Sequence, residues 1–247
     1  MCGRFVQTSS PATLAERFGV DEVTVEPRTP NYNVTPRSWV PAVRERPDDD
    51  SPARVLTLLR WGLVPSWAKT PAIGDRQINA RAESLADRPA YRRAFRKRRC
   101  IVPVDAFYEW KAAEPPRSGG SATSRRTPKV PYAIRRRDGD PLAFAGLWEI
   151  WRDPGVDDPD APDAWLRTCA IVTTDANRVI APIHDRMPVV LAEDAWGPWL
   201  DPDNEDVEAL GGLLVPAPDE WFEVYEVSTR VNKPANNDAD LLRAVSS

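Results

Sequence analysis

A chain of 247 residues, 42% hydrophobic and 28% charged, is long enough for one sizeable core and shows no second composition regime, so a single domain over 1–247 is expected. No apolar run approaches the roughly 20 residues that span a bilayer, and the stretch after Met1 lacks the apolar centre of a secretory signal, which argues against membrane contact and points to the cytosol. The net charge of −4 has the wrong sign for a surface that neutralises many phosphates, so any contact with nucleic acid must be local.

Ser10-Pro11 followed by Leu14, Ala15 and Phe18, then Gly19, predicts a short capped helix. The acidic, proline-flanked residues 48–51 predict a turn, and residues 54–61, with β-branched and leucine side chains, a strand. Residues 84–97 read as a helix burying Leu85, Tyr91, Ala94 and Phe95. Residues 100–104 read as a buried strand that continues through 106–110. The segment 112–128, dense in Pro, Ser, Gly and Arg, has too little apolar surface to order itself and is expected to be a mobile surface loop. Further strands are expected at 131–135, 142–151, 166–174, 187–191 and 221–227, with a polar loop at 153–163. Helices are expected at 193–200 and 204–210, the second capped by Asn204 and stopped by Gly211-Gly212. Many strands without regular βαβ alternation predict an α+β fold, a mostly antiparallel, barrel-like β core with flanking short helices.

Cys2 is the first candidate for chemistry. A small residue after the initiator methionine permits removal of Met1, and Cys2 then carries an α-amine of pKa about 8 and a thiol of about 8.5 on one skeleton. With an aldehyde, the amine forms an imine and the thiolate closes on its carbon to a five-membered thiazolidine, more durable than a lysine Schiff base. The competing reading is an incidental buried cysteine. Cys2, Cys100 and Cys169 include no CxxC spacing, and His184 is the one histidine, so neither a zinc site nor a disulfide framework is expected, and no cofactor.

Asn79 has an amide that can orient an N-terminal residue or a sugar hydroxyl, or simply serve a turn. Glu109, set among aromatic residues in Phe107-Tyr108-Glu109-Trp110, is either a desolvated carboxylate suited to proton transfer or a strand-edge group facing water. His184, beside Asp185 and Arg186, is an acid–base candidate or a structural histidine. Arg60-Trp61-Gly62-Leu63-Val64-Pro65-Ser66-Trp67 combines an arginine and two tryptophans around a turn, the kind of rigid aromatic element on which single-stranded bases stack. The basic run 92–99 is either a DNA contact or a solvated helix face.

Met1-Cys2-Gly3-Arg4, Asn79-Ala80-Arg81-Ala82-Glu83, Phe107-Tyr108-Glu109-Trp110, Thr173-Thr174 and Ile183-His184-Asp185-Arg186-Met187-Pro188, in this order, resemble the SOS response-associated peptidase (SRAP) family over residues 2 to about 191. Asn31 to Pro36, the Arg60–Trp67 segment and Val231-Asn232 resemble further family segments. Ala106 stands where a glycine is common, and segment 112–128 is longer than the pattern. The resemblance implies a protein that binds single-stranded DNA during the DNA damage response and crosslinks Cys2 to the ring-opened aldehyde of an abasic site, shielding it. It implies that Asn79 holds the Cys2 backbone and the sugar, that Glu109 orients or deprotonates the α-amine, and that His184 shuttles a proton for ring opening and reversal. It also implies phosphate contacts from Arg4, Arg81 and Arg186, polar DNA contacts from Asn33 and Thr173, and support beside the lesion from Trp61, with Trp67 at the DNA. Autoproteolytic removal of Met1, association with the replication machinery and the nucleoid, and a monomeric state complete the expectation. Two other readings stay open: an N-terminal nucleophile amidohydrolase of the glutamine amidotransferase type, and a noncovalent single-strand binding module.

Overall fold

The computed structural model describes residues 2–46, 53–112 and 129–245. In chain order the elements are β1 (Phe5–Gln7), α1 (Pro11–Phe18), β2 (Glu22–Val23), β3 (Asn31–Val34), β4 (Trp39–Arg46), β5 (Ala53–Trp61), β6 (Asn79–Arg81), α2 (Arg92–Lys97), β7 (Arg99–Val104), β8 (Ala106–Ala112), β9 (Lys129–Arg136), β10 (Leu142–Arg152), β11 (Trp165–Asp175), β12 (Arg186–Pro188), α3 (Glu193–Leu200), α4 (Val207–Gly212) and β13 (Phe222–Glu226). Short 3-10 turns join several of them. Among the described residues no helix is long and apolar enough to cross a membrane.

Five strands close into a mixed barrel. β4 runs antiparallel to β5 from Trp39↔Arg60 to Arg46↔Ala53, β5 runs parallel to β11 at Arg60↔Thr168 and Trp61↔Cys169, and β10 and β7 carry the ring back to β4. β6 and β12 pair with β11, and β2 with β5. A second, antiparallel sheet in the order β13-β9-β8-β1-β3 packs on the barrel through Phe5 against Trp61, with centroids 4.7 Å apart, and the edge of Phe107 against Phe144.

Side chains on the barrel strands alternate with period two. Val43, Leu56, Ile101, Ala145, Leu147, Ala170 and Val172 pack under the helices with Leu14, Phe18, Phe95 and Trp199. Four helices cannot fit within five strands, so the other row, with Ala42, Leu59, Trp61, Cys100, Val102, Phe144, Cys169 and Ile171, points inward. Gly146 lies in that inward row, where a Cβ would stand 2.8 Å from the Cys100 sulfur.

α1 forms for the reasons legible in its sequence: Ser10 accepts from Thr13 N at 3.1 Å, Pro11 occupies the first turn, Leu14 and Phe18 are buried one turn apart, and Gly19 ends the helix at φ 58°. The strands expected at 54–61, 131–135, 142–151 and 166–174 and the helix at 193–200 are present with slightly wider or equal bounds. The helix expected over 84–97 is reduced to α2; Pro89, inside that span, has no N–H to donate to a continuous helix. The continuous strand expected over 100–110 breaks at Asp105, where the chain leaves the barrel for the second sheet. Asp206, not Asn204, caps α4, accepting from Glu208 N and Ala209 N, and the two glycines lie within the helix. β12 stops at Pro188, short of 191. Residues 48–51 and most of 112–128 lie outside the described residues.

Candidate active site

Cys2, Gly3 and Arg4 lead into β1 along the edge of β8. Tyr108 N donates to Arg4 O at 3.0 Å and Phe5 pairs with Phe107, so antiparallel register carries residues 2 and 3 alongside Glu109. Asp105 locks the other end of β1: its carboxylate accepts from Thr8 N at 2.5 Å, Ser9 N at 3.0 Å, the Thr8 hydroxyl at 3.1 Å and the Ser9 hydroxyl. β6, held parallel to β11 at Asn79↔Ile171, delivers the amide. Asn79 Nδ2 donates to Cys2 O at 2.8 Å, its Oδ1 is buried without a hydrogen-bond partner, and the Tyr91 hydroxyl donates to Asn79 O at 3.2 Å.

Cys2 is fully buried. Burial pushes its thiol far above the usual cysteine range, and the charge of nearby Glu109 adds to the rise, so sulfur stays protonated at neutral pH. Glu109 is itself buried at 2% exposure, on β8. His184 accepts from Arg186 N on Nδ1 at 3.0 Å. Asp185 Oδ1 lies 2.9 Å from the same Nδ1 and becomes an ion-pair partner only when that nitrogen is protonated. Ile180, whose carbonyl takes the His184 amide, shares an apolar cluster with Cys2, Trp61 and Met187.

A groove of about 690 Å³ runs over Asn79, walled by Trp67, Arg76, Gln77, Arg81, Arg88 and Tyr91, with no carboxylate in its lining. One wall depends on a close approach of two glycines. A Cβ on Gly74 would stand 2.5 Å from Gly62 O, and Gly62, at φ 123°, would bring one within 2.7 Å of Gly74 O. Trp67 is 59% exposed and Arg81 is also exposed, so both can meet a ligand.

The other side chains expected at DNA sit differently. Trp61 is fully buried, its indole donating to Ile78 O at 2.9 Å. Asn33 is buried and donates to the carbonyls of Val231, Lys233 and Asn236, while Thr173 is buried beneath β6. In this structure these three offer DNA no surface. Arg186 is clamped by Glu83, by Asp175 at 2.7 Å and by Thr173 O at 2.7 Å, so its charge is already matched by two carboxylates. Arg4 is held by Asn33 Oδ1 at 2.7 Å and Val231 O at 2.8 Å, with Trp110 beneath it at 5.8 Å, contacts that leave its charge without a carboxylate. Sequence reasoning missed Arg76, Arg88 and Tyr91. Arg76 and Arg88 bracket the Asn79 segment in the chain, and arginines on both sides of a candidate site were the available signal.

The family model for SOS response associated peptidase (SRAP) matches residues 1–234. The chain belongs to the SRAP family. It is 38% identical over 245 residues to the abasic site processing protein YoqW of Bacillus subtilis, covering 99% of this chain and 100% of that one. It is 40% identical over 245 residues to the abasic site processing protein YoaM of the same organism, covering 99% and 98%. A crystal structure of a protein from Bacteroides thetaiotaomicron superposes with a TM-score of 0.79 at 24% identity, covering 99% and 100% of the two chains, and shares the fold.

Proposed function

We propose that this SRAP protein processes abasic sites, capturing them covalently in single-stranded DNA through Cys2 once Met1 has been removed. The observation that carries the reading is Asn79, which lines an arginine-walled groove and whose amide donates to the carbonyl of buried Cys2. That bond fixes the backbone of the nucleophile while Arg76, Arg81 and Arg88 draw the phosphates on either side. The names of the relatives and the family membership point the same way.

Hydrolysis of the Met1–Cys2 peptide bond, by the chain itself as the family name suggests or by an aminopeptidase, frees the α-amine. Glu109 takes a proton from the ammonium, and the neutral amine adds to C1′ of the open sugar. His184 delivers a proton to the ring oxygen as the sugar opens. Loss of water gives an imine; the Cys2 sulfur adds to its carbon, and the thiol proton passes to nitrogen, closing the thiazolidine. Burial favours this order, because a neutral thiol waits without ionising until an electrophilic carbon is presented beside it.

The test is incubation of mature protein with abasic and intact single-stranded oligonucleotides, read as a band that survives denaturant. An adduct is expected only with the abasic strand and only with Cys2 present. An equal yield from Cys2→Ala, or from protein that retains Met1, overturns the reading. Release of ammonia from glutamine would favour an amidohydrolase, and equal retention of both strands without an adduct would favour a simple binder.

A further inference from the structure

Four strands of the barrel end their inward rows on one feature. The rows through Ala42 of β4, Cys100 of β7, Phe144 of β10 and Cys169 of β11 continue, two residues at a time, to Arg44, Arg98, Trp148 and Arg167. The pairings Val43↔Ile101, Leu147↔Arg99 and Ile150↔Arg167 bring these side chains to the same mouth of the barrel. The Cys2 site lies at the other mouth, where Asn79 pairs with Ile171 and Arg81 with Thr173. The run of β11 from Thr173 to Arg167 separates the two by about 20 Å.

At the arginine mouth the Trp148 ring has two guanidinium groups against it, Arg44 at 5.0 Å and Arg98 at 5.7 Å. Arg98 is paired with Glu149, Lys97 with Glu205 at 2.6 Å, and Glu45 with Arg54 at 3.5 Å. Arg44 is different. Its Nε is buried without a hydrogen-bond partner, and burial together with the charges of Arg167 and Arg46 makes its cation costly, Glu22 opposing only weakly. Beside it opens a cavity of about 270 Å³ walled by Arg44, Lys97, Arg98 and Trp148, with Glu45 and Asp203 also on the wall. A half-buried guanidinium with its planar fork unused, stacked on an indole, is able to donate two parallel N–H bonds to a tetrahedral oxyanion.

We propose that this mouth is a phosphate-binding site, in which a phosphate oxyanion accepts from the Arg44 fork and Trp148 gives an apolar flank, while Lys97 and Arg98 on the wall hold Glu205 and Glu149 back from the anion. The site does not rest on the capture chemistry at Cys2. Its phosphate can come free, as in a nucleoside monophosphate, or from the backbone of a strand leaving the groove along α2. That helix supplies Arg92 and Arg93 to a cavity beside Trp67 and ends in Lys97.

The experiment uses the full chain carrying Cys2→Ala, so that no adduct forms. Thermal unfolding is followed in inorganic phosphate and in chloride at matched ionic strength. Phosphate is expected to raise the midpoint by about 2–4 °C. Arg44→Gln should abolish the shift without lowering the midpoint in chloride, and Arg44→Lys, which keeps charge but loses the fork, should retain less than half of it. No rise, or an equal rise in Arg44→Gln, overturns the proposal. Should Arg44→Gln not fold, Lys97→Gln serves instead, because Lys97 is exposed on the cavity wall and its loss leaves Glu205 without its partner beside the anion, and an undiminished shift there counts against the proposal. Intact single strands of increasing length then separate the sources. A several-fold loss of affinity in Arg44→Gln for long strands alone assigns the site to DNA backbone. Unchanged affinity at every length, with a midpoint shift from a nucleoside monophosphate, assigns it to a free phosphate monoester.

Discussion

Arg99 and Asn79 both carry buried polar atoms, and these are satisfied to opposite degrees. Arg99, 2% exposed, donates to the carbonyls of Trp199, Phe95, Arg96, Asp201 and Asn204. Those carbonyls belong to the ends of α2 and α3 and the loop after α3, where helix carbonyls lack partners of their own and a cation is favoured. Asn79 has one half of its amide on Cys2 O and the other half, Oδ1, buried and idle. Where only the fold is at stake, a polar group taken inside is paired in full. On the proposed function, the acceptor left over beside Cys2 is capacity kept for a group that arrives later, such as a sugar hydroxyl.

The sharpest way to break that comparison is to remove each side chain and ask which property fails. Arg99→Met orphans five carbonyl contacts, two of them buried, and should cost about 3–5 kcal/mol of stability in urea unfolding, while adduct formation per folded molecule stays unchanged. A cost below about 1 kcal/mol would show that Arg99 is no staple. Gly74→Ala comes next, because backbone faces backbone at the Gly62 contact and nothing flexible can give way. A loss of about 1–3 kcal/mol is expected, together with weaker binding of intact single strands, since the wall bearing Arg76 and Gln77 must shift. Retained stability and affinity would mean that the approach is not needed to shape the groove.

Asn79→Ala should behave in the reverse sense to Arg99→Met. Stability should change by about 1 kcal/mol or less, whereas adduct formation should slow by about tenfold or more, the rate equivalent of one hydrogen bond that holds the reacting residue in place. If stability falls and the rate does not, Asn79 belongs with Arg99 as a structural group.

The same contrast explains what was legible in the sequence. Helix α1 and the long barrel strands were readable because capping and period-two burial are local signals, set by Ser10, Pro11 and Gly19 or by the alternation in residues 142–151. Strand β4, with Pro41 inside it, and the short β1, β3 and β6 were not foreseen, since their pairing is decided by partners distant in sequence. Asn79, Glu109 and Cys2 could be singled out as chemistry-bearing residues from their motifs, and the fold brings them to one mouth of the barrel. Burial was beyond reach: Trp61 and Trp67 stand six residues apart in one aromatic segment, yet one is fully enclosed and the other 59% exposed. The bonds of Arg186 to Glu83 and Asp175 were hidden for the same reason, because the Asp175 bond arises only when β12 meets β11 and the Glu83 bond only when β6 also pairs with β11.

The smallest expected effect is the most discriminating, because it lies one bond behind Asn79. The Tyr91 hydroxyl donates to Asn79 O, and burial pushes its pKa up to about 12, with Arg88 opposing. A tyrosine whose folded pKa exceeds its unfolded value of about 10 contributes stability that is complete below pH 10 and fades as pH rises through 12. Tyr91→Phe should therefore flatten part of the stability decline between pH 10 and 12. At pH 7–9 the hydroxyl is protonated throughout, so the variant should slow adduct formation only a few-fold and leave the shape of the pH–rate profile unchanged. A changed profile would place Tyr91 among the groups that move protons; an unchanged rate would mean that β11 alone, pairing at Ile171, is enough to hold the Asn79 backbone where Cys2 needs it.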